Sequence, residues 1–175
     1  GDLENAQLFS VPGRSEIIGN HTDHQHGAVV AAAIDLDIIA VAVPAIDGKL
    51  IVKSEGFPDV AVVDITKQNP GDYPDYSDKA LIAGMNVGFK NRGYKTGAFK
   101  AYTTSDVLRG SGLSSSAAFE VMVGNILNHL YNDGGIDAPV IAQIAQYSEN
   151  VFFGKPCGLM DQTAAAVGGF VNIDF

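Results

Sequence analysis

Three stretches of this chain hold side chains able to do chemistry. The first is residues 110–118, GSGLSSSAA. Gly110 and Gly112 let the backbone turn tightly and come close to a ligand. Ser114, Ser115 and Ser116 then open a helix, whose first N–H groups lack partners within it and point outward. With the helix dipole behind them, those amides form an anion site suited to phosphate. A serine-capped helix after a loop has the same local sequence. No Lys follows the second glycine, so this is not a Walker-type loop.

The second stretch is HTDHQH, residues 21–26, with Arg14 just upstream. Its histidines and aspartate invite a zinc reading. Metal-binding helices usually space histidines at i, i+4, however, and this run sits in a turn between strand candidates. A polar loop that hydrogen-bonds a hydroxylated ligand fits it as well. The third stretch is GKPCGLMDQ, residues 154–162. Cys157 as a nucleophile would want a His base and a positive environment, and nothing specifies either. Asp161 lies among Leu, Met and Ala, where an idle surface carboxylate is out of place. It either N-caps the following helix or serves as a base. Glu149, by itself, reads as a solvated helix residue beside an apolar stripe.

These residues need a scaffold. Residues 8–11 are an apolar strand candidate running into a Pro12-Gly13 turn. Residues 29–34 and 38–43 are β-branched and Ala-rich and read as a hairpin joined by Asp35-Leu36-Asp37. Residues 49–52, 60–65 and 98–104 predict further strands. Residues 69–78 are a loop by their Pro, Gly and Asp content, and residues 80–90 a helix capped by Ser77 or Asp78. The serine run leads into a helix of about five turns. Asp137 caps another, with Ile141, Ile144, Ala145, Ser148, Val151 and Phe152 on one face. A strand-rich first half followed by helices predicts an α+β domain with a mixed sheet of about five strands and at least three helices.

Composition narrows the partners. The 175 residues are 46% hydrophobic and 18% charged, an ordinary globular balance that supports one domain over residues 1–175. A net charge of −9 disfavours nucleic acid. The apolar run at residues 27–46 is broken by Asp35, Asp37 and Pro44, so no membrane span is expected. The single cysteine suits a reducing cytoplasm. The chain opens on Gly and closes on the strand-like VNIDF, and both ends are expected to be cut.

Taken in order, the three stretches resemble the GHMP small-molecule kinases and, among them, the galactokinases. VPGRSEIIGNHTDHQHG (residues 11–27) looks like the sugar signature, GSGLSSSAAFEV like the phosphate loop (residues 110–118), and PCGLMDQ like the segment holding the catalytic aspartate (residues 154–162). The resemblance spans residues 9–169 and implies a ribosomal-protein-S5-domain-2-like fold. It also implies ATP and Mg²⁺ as cofactors and a sugar as substrate. Asp161 would accept the proton of the anomeric hydroxyl, with Arg14 beside it to keep it ionised and to steady the transferred phosphoryl group. Gly110, Ser111, Gly112, Leu113, Ser114, Ser115 and Ser116 would wrap the phosphates, and Ser115 and Glu149 would hold the magnesium. Asn20, His21, Asp23 and Gly158 would face the sugar. The chain departs from the common pattern at Asn20, Glu16 and His24, which leaves open a related sugar or a non-catalytic sugar and ATP sensor. The family's C-terminal lobe is absent, so this piece is expected to lack turnover alone and to self-associate through the surface left open.

Overall fold

A computed structural model describes residues 4–19, 27–108 and 110–174. The sheet is organised round one strand, β2 (Ala28–Pro44), 17 residues long. Most of its length, from Val30 to Ala42, runs beside β1 (Gln7–Ile18). Its other edge pairs first with β6 (Phe170–Asp174) and then with β5 (Phe99–Ser105). Beyond β5 lie β3 (Lys49–Ser54), parallel to it, and the edge strand β4 (Val60–Asp64). The order is β1-β2-β5-β3-β4, with β6 beside β2, a mixed sheet of six strands among the described residues.

Two local expectations are corrected. Residues 29–34 and 38–43 are not a hairpin but one strand. A tight hairpin turn wants positive φ at Gly or Asn, and Asp35-Leu36-Asp37 supplies neither that residue type nor that conformation. Pro12-Gly13 is likewise no turn. The pairing steps from Pro12↔Asp37 to Arg14↔Ala33, so residues 34–36 bulge opposite Gly13 alone. Such an irregularity bends a strand and re-aims the side chain beside it, which here is Arg14.

Burial alternates along the strands, as period-two geometry requires. Phe9 and Val11, Ile38, Ala40 and Ala42, Leu50 and Val52, and Phe99 and Ala101 are buried. They meet α1 (Asp78–Asn91), α2 (Ser115–Tyr131) and α3 (Ala138–Tyr147) in one core. Leu8, Val41 and Tyr102, neighbours in register across β1, β2 and β5, point to the other face and are exposed. Ser77 caps α1, its Oγ accepting from the Ala80 N–H at 3.2 Å. No helix among the described residues is long and apolar enough to cross a membrane.

After α3 the chain widens into a π-helical turn, Ser148–Phe153, before α4 (Met160–Val167). Its i→i+5 bonding shifts the phase of the apolar stripe. Ser148 and Phe152 stay buried, but Val151 is turned out and Glu149 is turned in. The solvated reading of Glu149 is therefore wrong. The extra residue in the turn inverts it.

Candidate functional site

The glycine- and serine-rich loop at the start of α2 lies against β1 and the start of α4. Gly13, opposite the β2 bulge, is packed so closely that an added Cβ would sit 3.0 Å from the Leu113 carbonyl oxygen. The Arg14 N–H donates to that same oxygen at 3.2 Å. Gly110 and Gly112 both have positive φ, 75° and 79°, so the loop uses the left-handed freedom that glycine alone offers cheaply. Ser114 is left-handed too, at φ 59° and ψ 52°. For a serine that costs about 1–3 kcal/mol, which the surrounding contacts must offset.

That strain turns the Ser114 hydroxyl away from its own helix. Ser114 occupies the N-cap position of α2 but makes no side-chain cap bond. It donates instead to Asp161 Oδ2. The first amides of α2 are thereby left without a side-chain acceptor, next to Ser115 and Ser116, in the arrangement that favours a phosphate.

Asp161 does not cap α4, since Leu159 holds that position. Its Oδ1 accepts from Arg14 Nε at 2.7 Å across 147 positions of sequence. Arg14 Nη1 donates to the Gly112 carbonyl at 2.7 Å. Arg14, 8% exposed as a residue, thus ties the aspartate to the loop. A carboxylate held by a fixed cation and a hydroxyl, and still partly open to solvent, is well placed to take a proton from a ligand.

The second carboxylate is Glu149, 2% exposed. Its Oε1 accepts from Ser116 Oγ at 3.1 Å and from Lys155 Nζ at 3.3 Å, and its Oε2 from Gln162 Nε2 at 2.7 Å. Ser116, rather than Ser115, makes the bond. Ser115 lies beside it on the wall of a cleft of about 490 Å³. Behind Gln162 is Glu120, fully buried, whose Oε2 accepts from Gln162 Nε2 at 3.4 Å. Burial, and then the charge of Glu149, pushes the Glu120 carboxyl well above the ordinary carboxylate range. Burial and Glu149 also push the Cys157 thiol up, which removes it as a thiolate nucleophile at neutral pH.

These donors fit magnesium. The Glu149 carboxylate just behind the cleft and the Ser115 and Ser116 hydroxyls lining it are hard oxygen ligands, and the rest of the shell can be water and phosphate. Asn20, His21 and Asp23, with His24, lie outside the described residues. Gly158 is half-buried in the segment entering α4. Gln162, Lys155 and Glu120 were missed by sequence reasoning. The only signal for Gln162 was its place next to Asp161 in an otherwise apolar helix start.

The cleft has apolar walls, including Phe57, Tyr76, Leu81, Phe119 and Phe153, and it ends at Ser115 and Ser116. A flat aromatic base would fit between such walls, with its polar chain towards the start of α2.

The chain is similar to known proteins in both sequence and fold. A family model described as the galactokinase galactose-binding signature matches residues 2–44. The galactokinase of Pyrococcus furiosus is 39% identical over 167 residues, covering 94% of this chain and 45% of that protein. The galactokinase of Clostridium tetani is 32% identical over 166 residues, covering 91% of this chain and 40% of its own length. The chain therefore spans under half the length of these relatives. The crystal structure of Lactococcus lactis galactokinase complexed with galactose superposes with a TM-score of 0.89 at 30% identity, over 99% of this chain and 46% of that one. The Methanococcus jannaschii mevalonate kinase shares the fold, with a TM-score of 0.77 at 17% identity over 96% of this chain and 53% of its own. A family model for the GHMP kinases N terminal domain matches residues 80–169, from α1 through α4, and the chain belongs to that family.

Proposed function

We propose that this chain is the N-terminal portion of a galactokinase, which converts ATP and D-galactose to ADP and galactose 1-phosphate. The observation that carries the reading is the Arg14–Asp161 pair at 2.7 Å, anchored to the loop at the start of α2. In this reading Asp161 accepts the proton of the anomeric hydroxyl. The freed oxygen forms a bond to the γ-phosphorus as the bond to the β–γ bridging oxygen breaks, and ADP leaves. Arg14 keeps Asp161 ionised and stabilises charge on the transferring group. Residues 110–116 receive the phosphates, and the cleft lined by Phe57 and Phe153 takes the base. Glu149 and Ser115, beside Ser116, would hold Mg²⁺, which would supply a hard cation to neutralise the phosphate oxygens. Asn20, His21, Asp23 and the Gly158 backbone face the sugar. A cytoplasmic setting, rich in ATP and reducing towards Cys157, suits this chemistry.

The galactose-binding signature at residues 2–44 supports galactose as the sugar. The departures at Asn20, Glu16 and His24 favour a second reading, a kinase of a related hexose. Phosphorylation of a hexose panel by the full-length protein, followed as coupled ADP release, separates the two. Galactose turned over best supports the first, another hexose the second, and none at all a sugar and ATP sensor. The 175-residue piece alone is proposed to be inactive, because the second lobe that would close the cleft from water is missing. Turnover by that piece near the rate of the full-length protein would overturn this.

A further inference from the structure

Lys155 has no part in the mechanism above, yet it is built into the site. Gly154, at φ 80°, folds the chain back at the end of the π-helical turn. The Lys155 N–H then donates to the Glu149 carbonyl oxygen at 3.2 Å, which fixes its backbone over the glutamate. From there its ammonium reaches Glu149 Oε1 at 3.3 Å. Oε1 is the oxygen shared with Ser116, while Oε2 is turned inward to Gln162. The lysine therefore covers the face of the carboxylate that would ligate magnesium. It also lines the cleft beside Ser115 and Ser116, and it is the only cation among the described residues that do so.

We propose that Lys155 is an exchangeable counter-ion. It neutralises the buried Glu149 while the site is unloaded, then yields the carboxylate to the metal and transfers to the nucleotide phosphates. A buried carboxylate without a cation is costly, and Glu149 is only 2% exposed. Magnesium and an ammonium drawn to the same oxygen repel each other, so a bound metal favours departure of the lysine. The Lys155 side chain is 57% exposed, hence free to swing without unpacking the core. A triphosphate entering the cleft offers it a stronger partner than the one it leaves. This inference rests on the kinase reading.

The test uses the full-length protein and the substitutions Lys155→Met and Lys155→Arg. Removing a competing cation should tighten Mn²⁺, bound without nucleotide, by about two- to fivefold in K155M. Removing a phosphate partner should weaken a magnesium complex of a non-hydrolysable ATP analogue by about tenfold. Spin-resonance titration of Mn²⁺ and calorimetry of the analogue read the two separately. Lys155→Arg should keep analogue affinity within about twofold, because it keeps the charge. Opposite shifts in K155M support the proposal. No shift, or shifts of the same sign, overturn it while leaving the kinase reading intact. Wild-type protein that binds no analogue overturns the kinase reading, and this inference with it.

Discussion

The two carboxylates of the site are held in opposite ways. Asp161 is a third exposed and tied to a buried guanidinium that is itself fixed to the Gly112 carbonyl. Glu149 is almost wholly buried and tied to an exposed lysine on the outside and an amide on the inside. The first pair is pre-set, with the permanent charge placed where it will be used and nothing to rearrange. The second is loaded for exchange, because its outward partner is the exposed one. A group that must accept a proton benefits from a constant surrounding. One that must accept a metal needs a partner that leaves.

The contrast can be broken from either side. The largest effect is expected at the rigid half. Asp161→Asn in the full-length protein should lower kcat by about two to four orders of magnitude with sugar affinity largely kept, checked by steady-state kinetics and sugar calorimetry. Glu149→Gln should instead raise the magnesium needed for half-maximal rate by about tenfold or more, with a smaller change in sugar KM. If both variants fail in the same parameter, the two halves are not functionally distinct.

Smaller effects sharpen it. Glu120 has a raised folded-state pKa, so the native state holds its proton more tightly than the unfolded chain. That contribution to stability is complete below the ordinary value of 4.5 and is lost as pH rises through the folded value. Glu120→Gln, which keeps the shape without the titration, should flatten the fall in stability above that pH, measured as unfolding midpoints in denaturant. An unchanged slope would show that Glu120 is not the titrating group. Ser116→Ala should be mildest, raising the magnesium requirement by about two- to fivefold through loss of one hydrogen bond to Glu149.

Much of this was legible in the residues. Alternation marked the strands. Ser77 at the start of α1 and the serine run at the start of α2 marked helix beginnings that the structure keeps. Arg14 and Asp161 are brought together as the family resemblance implied. What failed had a common cause. Asp35 and Asp37 look like a turn to anyone reading locally, but β1 pairs past them on both sides and holds the strand together. Glu149 looks solvated at helical spacing, but one extra residue per turn rotates it into contact with Ser116 and Gln162, 33 and 13 positions away. Bulges and π-turns change phase, and phase is what periodicity assumes.

The close packing at Gly13 has a further consequence. Loop and arginine are joined twice, through the Leu113 oxygen bonded to the Arg14 amide and through the Gly112 oxygen bonded to its guanidinium. They form one linkage with little slack, and Asp161 hangs from its far end. If, as proposed, the loop receives a nucleotide and Asp161 meets the sugar, a nucleotide that stills the loop also stills the aspartate. By thermodynamic reciprocity the sugar must then favour the nucleotide by the same factor. Such a linkage makes the two ligands report on each other across the cleft with no hinge between them, and a methyl group at position 13 would loosen both at once.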